Sequence, residues 1–164
     1  MRSLIIAMTI LFSVSAAHAE TFPVITDKTV LSECTDCHMA FPPQTLTKAV
    51  WTKIMGDLSN HFGEDASLDA ASTAIILDYH LKNANDVSKV RASMKWKTTP
   101  PASRVLLASR FIRKHKGCEA AFAHEKVKLA SNCLACHGDM QKTGSTKENL
   151  RFLPASIRAS CGED

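Results

Sequence analysis

The stretch ECTDCHMAFPP, residues 33–43, has two cysteines three positions apart, Cys34 and Cys37, with His38 directly after them. The same C-x-x-C-H spacing recurs as CLACH at residues 133–137. A c-type haem is attached to two cysteines at this spacing, and the following histidine binds its iron. The sequence therefore predicts two covalently bound haem c groups, with these attachment and proximal residues: Cys34, Cys37, Cys133 and Cys136 for the haems, and His38 and His137 for the irons.

Other chemistries also use paired cysteines, but they fit this chain less well. The two pairs of a zinc ribbon normally lie much closer together than the 99 residues that separate Cys34 from Cys133. A thioredoxin-like dithiol needs a βαβ setting, and the chain shows no alternating strand pattern. A disulfide-bonded protein without haem is the weakest of the alternatives.

The beginning of the chain has the pattern of an export signal. Arg2 is followed by an apolar run over residues 4–14 and then by the small-x-small sequence Ala17-His18-Ala19. The run is too short to cross a bilayer, so residues 1–19 are predicted to be a signal peptide that is cleaved near Ala19. The expected location is a bacterial periplasm.

Helical periodicity dominates the remaining chain and predicts an all-α fold. Apolar residues between Trp51 and Phe62 fall on one helical stripe that includes His61. His61 is therefore the candidate distal ligand of the first haem, and Met55 on the same stripe is its rival. A further helix is predicted over about residues 69–82, with His80 at its surface or rim.

A third stripe runs from Ser103 to His115 and makes His115 the candidate distal ligand of the second haem. His124, nine residues before Cys133, is its competitor. The two remaining cysteines, Cys118 and Cys161, are expected to form a disulfide in an oxidising compartment, with two free thiols as the alternative.

Charge and composition divide the chain into two parts. Residues 20–86 contain four Lys/Arg and ten Asp/Glu, a net charge of −6, whereas residues 87–164 contain fifteen and six, a net charge of +9. The polar segment at 87–101, which ends in two prolines, predicts a linker between an N-terminal haem lobe (20–86) and a C-terminal haem lobe (102–164). This charge asymmetry is expected either to orient a partner protein during encounter or to attract the two parts of the chain to each other.

Several quoted segments resemble the soluble periplasmic dihaem cytochrome c family of proteobacteria: CTDCHMAFPPQTL, HFGEDASLD, RFIRKH and SNCLACH. The resemblance implies two small helical haem lobes, the first similar to a class I cytochrome c, and low-spin haems with histidine on both faces. It places the distal ligands at His61 and His115. The pair Cys118 and Cys161 is not part of the family pattern and, because it lies near His115, would influence that ligand's position.

The same resemblance implies a periplasmic single-electron carrier rather than an enzyme. Its expected partners are other redox proteins, such as a membrane cytochrome or a soluble cytochrome, and not nucleic acid, and a monomer is expected. The alternative is a dihaem peroxidase-like enzyme or a gas sensor, which needs an open or displaceable sixth ligand. The axial ligation of the two irons distinguishes these functions.

Overall fold

The computed structural model describes residues 19–161, so all but the last residue of the predicted signal peptide lies outside the described residues. Within this range the chain is helical and has only isolated β-bridges, which confirms the all-α class. The α-helices are α1 Lys28–Cys34, α2 Lys48–Met55, α3 Ala70–Asn83, α4 Arg91–Trp96, α5 Ser109–Lys114, α6 Glu119–Phe122, α7 Met140–Thr143 and α8 Ala155–Ser160. Four 3-10 turns lie at Pro43–Thr45, Leu58–Asn60, Val105–Leu107 and Cys133–Ala135.

Carboxylate caps begin the two helices that frame the N-terminal half, residues 20–86. Asp27 accepts hydrogen bonds of 2.9 and 3.0 Å from two amides in the first turn of α1, and Asp69 accepts bonds of 2.8 and 2.9 Å at the start of α3. Such caps satisfy amide groups that have no partner inside the helix. The predicted helix over residues 69–82 is thus confirmed as α3.

The predicted stripe from Trp51 to Phe62 is not one helix. α2 ends at Met55, and Gly56 closes it by donating its backbone N–H to the Thr52 carbonyl at 3.0 Å. His61 lies beyond the turn Leu58–Asn60, outside any α-helix. The periodic spacing correctly marked Trp51 and Met55 as buried, but Phe62 is exposed and the helix ends earlier than the stripe.

The prediction that His80 lies at the surface or rim is wrong, since only 3% of this residue is exposed. Its Nδ1 is 2.8 Å from the Ile76 carbonyl, and its ring centre lies 4.2 Å from that of Trp51. α3 packs against α2 through this pair, so His80 belongs to the interior.

The segment predicted as a linker, 87–101, contains α4 and is partly buried. Trp96 at the end of α4 packs edge-on against Phe22, with ring centres 5.8 Å apart. The stripe after Ser103 forms the 3-10 turn Val105–Leu107 and then α5, so His115 caps a shorter helix than the periodicity indicated.

Apolar clusters form the interior of the part of the chain that the structure describes. One lies within the N-terminal half around Val30, Met55 and Ile76, and one within the C-terminal half (87–161) around Val127 and Leu153. The third, here called the central cluster, takes residues from both halves: Phe22, Leu46, Trp51, Ala84, Ala92, Trp96, Val105, Ala108 and Phe111. The two halves are therefore joined by buried apolar contacts.

Glu20 adds a polar connection between the two halves. Its carboxylate accepts from the Trp96 indole N–H at 2.8 Å and lies 3.4 Å from both Lys95 Nζ and an Arg110 guanidinium nitrogen. Its carbonyl accepts two bonds from Thr146, at 2.8 and 2.9 Å. The first residues of the N-terminal half are thus bound to the C-terminal half.

No helix within residues 19–161 is long and apolar enough to cross a membrane.

We expect Glu20→Ala to lower the free energy of unfolding of the haem-loaded protein by about 1–3 kcal/mol, because a buried indole N–H and a guanidinium lose their acceptor. Chemical denaturation measures this change. Glu20→Gln should lose less, since its amide oxygen can still accept from Trp96. Lys82→Ala, which removes an exposed ion pair with Asp78, is the control and should change stability by less than about 1 kcal/mol. Equal losses in the Glu20→Ala variant and this control would contradict the expectation.

Candidate haem sites

The first C-x-x-C-H motif lies where α1 ends. Cys34 is the last residue of α1, Cys37 is exposed in the following turn, and His38 comes next. His38 Nδ1 is 2.7 Å from the Met39 carbonyl, and its ring centre is 4.9 Å from that of Phe41. A hydrogen bond from Nδ1 leaves Nε2 as the nitrogen that can bind a metal.

His61 lies across from His38. A backbone bridge with Glu64 fixes its position, with His61 N–H donating at 2.7 Å and Glu64 N–H donating back at 3.3 Å. The tight turn that follows holds Phe62 at a φ of 57°, in the left-handed region. The ring centres of His38 and His61 are 6.2 Å apart, and the ring planes differ by 27°.

The second motif forms the 3-10 turn Cys133–Ala135 and then continues to His137. The backbone N–H of His137 donates to the Cys133 carbonyl at 2.8 Å, which holds the histidine one turn after the first cysteine. His137 Nδ1 is buried and has no hydrogen-bond partner among residues 19–161. It therefore lacks the backbone carbonyl acceptor that His38 and His115 have.

His115 caps the end of α5 and faces His137. Its Nδ1 is 2.9 Å from the Phe111 carbonyl one turn earlier, and the Phe111 ring stacks on its own at 4.1 Å. The ring centres of His115 and His137 are 6.0 Å apart, with planes at 84°. Both candidate distal histidines thus lie opposite a motif histidine.

Burial affects the two distal imidazoles in the same direction. Desolvation lowers the pKa of His61, and the charge of His38 lowers it further. Desolvation also lowers the pKa of His115. The hydrogen bond to the Phe111 carbonyl raises this pKa, and the charge of His137 lowers it. Lower pKa values favour the neutral imidazole, which is the form that binds a metal.

Neither cysteine pair forms a disulfide, and burial raises the pKa of three of the four motif cysteines, Cys34, Cys133 and Cys136. Burial, assisted by Glu33, raises the pKa of Cys34 to about 11, and burial raises that of Cys133 to about 11. A redox dithiol instead has a cysteine of lowered pKa. In the part of the chain that the structure describes, no three Cys, His, Asp or Glu residues group as a metal cluster, so the two cysteine pairs do not form a zinc ribbon site.

The rival ligands, Met55 and His124, contact side chains other than the motif histidines. Met55 is buried in the cluster with Val30 and Ile76. His124 follows the end of α6, accepts from the Lys126 N–H at 3.2 Å, and has its ring centre 6.3 Å from that of Phe152. The Cys118 and Cys161 sulfurs are joined by a disulfide.

Sequence reasoning missed one neighbour of the first site. The Arg104 guanidinium carbon lies 5.5 Å from the centre of the Phe62 ring, which itself lies 4.8 Å from that of His61. This contact brings the C-terminal half against the first site. No sequence signal reveals it, since Arg104 is separated from Phe62 by 42 positions and belongs to a different predicted lobe.

Comparison with known proteins agrees with this arrangement. Residues 30–144 match the family model described as dihaem cytochrome c. The chain belongs to the dihaem cytochrome c family. No curated protein matches it.

Solved structures of diheme cytochromes c are also similar to this chain. The diheme cytochrome c from Rhodobacter sphaeroides is 42% identical, with 73% of this chain and 96% of that one covered and a TM-score of 0.63. A second structure of the protein purified from the same organism is 37% identical, with 73% and 97% covered and a TM-score of 0.58. A diheme cytochrome c from Shewanella baltica is 31% identical, with 70% and 83% covered and a TM-score of 0.56.

As a dihaem cytochrome c, the protein carries two covalently bound haem c groups. The histidine geometry fits them. An iron with an imidazole on each face separates the ring centres by roughly 6 Å, since a metal–nitrogen bond is about 2 Å and the ring centre lies about 1 Å beyond the nitrogen. The observed separations of 6.2 and 6.0 Å agree with this value.

Proposed function

We propose that this cytochrome is an exported single-electron carrier in which histidine binds each haem iron on both faces. His38 and His61 hold the first iron, and His137 and His115 hold the second. The observation that carries the proposal is the spacing of the two ring pairs, 6.2 and 6.0 Å. In each site this spacing leaves room for one iron between two imidazoles.

The chain's own groups keep these ligands fixed. When bound, each haem supplies an iron that alternates between Fe(III) and Fe(II). Hydrogen bonds from His38 to the Met39 carbonyl and from His115 to the Phe111 carbonyl fix the ring orientation and make each Nε2 a better donor. With imidazole rather than thioether on the distal face, both potentials should be low.

Two features support export to a periplasm. The N-terminal sequence has the pattern of a cleaved signal. The Cys118–Cys161 disulfide requires an oxidising compartment to form and persist. Attachment of both haems is expected to take place after the chain has reached this compartment.

The two sites are proposed to exchange electrons internally. A cleft of about 440 Å³ is lined by Cys37 and His38 of the first motif, by Leu134 of the second, and by Asn132 directly before the second. Gln141 also lines it and accepts from the Ala40 N–H at 3.0 Å. The two attachment motifs therefore border one space, which favours a short path between the haems.

The partners are proposed to be other redox proteins, recognised through charge. The N-terminal half has a net charge of −6 and the C-terminal part a net charge of +9. Since the central cluster joins the two halves, the acidic and the basic part of the chain belong to one body. Such a dipole steers cationic and anionic partners to different haems.

Ionic strength tests this steering. We expect oxidation of the reduced protein by anionic ferricyanide, and separately by cationic hexaammineruthenium(III), to become slower as the salt rises from about 0.01 M to about 0.5 M, because the screening length falls below the size of the charged regions. Stopped-flow rates measure this. Rates that do not change with salt for both oxidants would disprove the steering.

Ligand substitutions test the histidine pairs. His61→Ala and His115→Ala should each convert one haem from low spin to high spin, because each removes one distal ligand. Optical and electron paramagnetic resonance spectra of the ferric protein measure the spin state. His124→Ala is the matched control and should leave both haems low spin.

The result for His124 decides between the two candidates. If His124→Ala yields a high-spin haem and His115→Ala does not, the second ligand is misassigned. A high-spin or five-coordinate haem in the unsubstituted protein would instead favour the peroxidase or gas-sensor function.

The ring angles predict that the two haems differ in their paramagnetic resonance. Near-parallel imidazoles, as at 27° in the first site, lift the degeneracy of the iron dπ orbitals and produce a rhombic low-spin signal. Near-perpendicular imidazoles, as at 84° in the second site, leave the orbitals nearly degenerate and produce one feature at high g. Low-temperature spectra of the ferric protein should contain both signals. Two identical rhombic signals would contradict the geometry of the second site.

A further inference from the structure

The strongest unexplained feature is a covalent connection beside His115. Cys118, three residues after His115, is joined by the disulfide to Cys161 at the end of α8. The backbone N–H of Cys118 donates to the His115 carbonyl at 3.1 Å. Both cysteines are buried, with 1% and 7% exposed. The turn that carries His115 is thus fixed to the last described part of the chain.

A second contact joins the same two segments. Gly117 has a φ of 80°, and a Cβ at this position would collide with the Ser160 carbonyl oxygen. Only glycine allows the two backbones to approach this closely. The turn after α5 and the end of α8 are therefore also packed together at the residues that directly precede the two disulfide cysteines.

The segment 145–161, here called the C-terminal cover, also contacts the second haem motif. The Asn149 N–H donates to the Cys136 carbonyl at 2.8 Å. Leu150, Phe152 and Leu153 pack in the cluster that includes Ala135 and Cys136. One segment thus contacts both the attachment motif and the turn of the opposing histidine.

Among residues 19–161, no disulfide-bonded segment contacts the first site in this way. His61 is held by its backbone bridge with Glu64, and the neighbouring Phe62 is 53% exposed. The C-terminal cover follows the region matched by the family model, which ends at residue 144. Phe111 and Phe122, within the matched region, lie beside the His115 ring, whereas the turn that follows His115 is joined to residues beyond that region, Ser160 and Cys161.

We propose that the C-terminal cover and its disulfide are positioning elements that hold His115 as the permanent sixth ligand of the second haem. The cover prevents the turn at residues 115–118 from moving away from His137, so external ligands do not reach the iron. This inference rests on the proposed function, because it takes His115 as the distal ligand. The sequence already suggested that Cys118 and Cys161 influence the position of His115, and the structure extends this role to Gly117 and to the packing of the C-terminal cover.

The test is carbon monoxide binding to the fully reduced, haem-loaded double variant Cys118→Ser/Cys161→Ser. We expect binding to about half of the haem, at a rate at least about tenfold above that of the unsubstituted protein, because the distal turn opens more often. The high-g signal that marks the second haem should decrease or shift in the ferric protein, and the rhombic signal should not. Unchanged carbon monoxide binding, or an equal gain at both haems, would overturn the proposal.

Two further variants separate positioning from general loss of stability. Ile76→Ala creates a cavity in the N-terminal cluster. It should not promote carbon monoxide binding at the second haem, even when it lowers the free energy of unfolding as much as the double variant does. Gly117→Ala retains both cysteines and pushes the turn from Ser160, so it should increase binding at that haem. If the double variant does not fold, Gly117→Ala decides, and an absence of increased binding refutes the proposal.

The outcome for His115→Ala keeps the two proposals distinct. If this variant leaves both haems low spin, the assignment of the second ligand fails and the positioning role fails with it. If His115→Ala produces a high-spin second haem but the double variant and Gly117→Ala do not increase binding, the ligand assignment stands and only the positioning role is wrong.

Discussion

The spacing between facing imidazoles is the constraint on which the proposed ligation depends. Two rings must lie roughly 6 Å apart with one nitrogen of each directed inward, and a covalent motif fixes only one of the two rings. The other ring has to be placed by the fold. In the second site this placement comes from a helix end, since the carbonyl of Phe111 one turn earlier holds His115 Nδ1. In the first site it comes from a short backbone bridge between His61 and Glu64. Different local structures therefore produce nearly the same separation.

The difference between the two placements has a consequence for rigidity. A side chain at the end of a helix inherits the position of the helix, but the last turn is where a helix opens most easily. The disulfide and the close contact of Gly117 with Ser160 act at this weak point. His61 depends instead on a tight turn whose residue Phe62 adopts a left-handed conformation and rests against Arg104 from the other half. One site is secured by a covalent connection and the other by contact across the halves.

The sequence predicted those parts of the structure that local chemistry determines. The C-x-x-C-H spacing indicated the haems, and the carboxylate at Asp69 with the periodicity behind it predicted α3 almost to its ends. Periodicity failed where a long-range contact decides the outcome. It joined His61 to the helix of Trp51, although Gly56 ends that helix, and it left His80 at the rim, although Trp51 buries it. The contacts of Glu20 with Trp96 and Arg110 connect residues more than 70 positions apart, and no local pattern encodes them.

The contacts between the halves also determine what the charge asymmetry can do. Two lobes on a flexible linker would turn independently, and their opposite charges would attract each other and partly cancel. Here α4 occupies the segment predicted as a linker, the central cluster buries residues from both halves, and the Glu20 carboxylate joins Trp96, Lys95 and Arg110. These contacts hold the acidic and basic regions at a fixed relative position, so that the dipole belongs to the whole molecule. A fixed dipole exerts a torque on an approaching charged partner, and orientation before contact increases productive encounters. The proposed steering of redox partners by charge therefore depends on the same contacts that complete the interior.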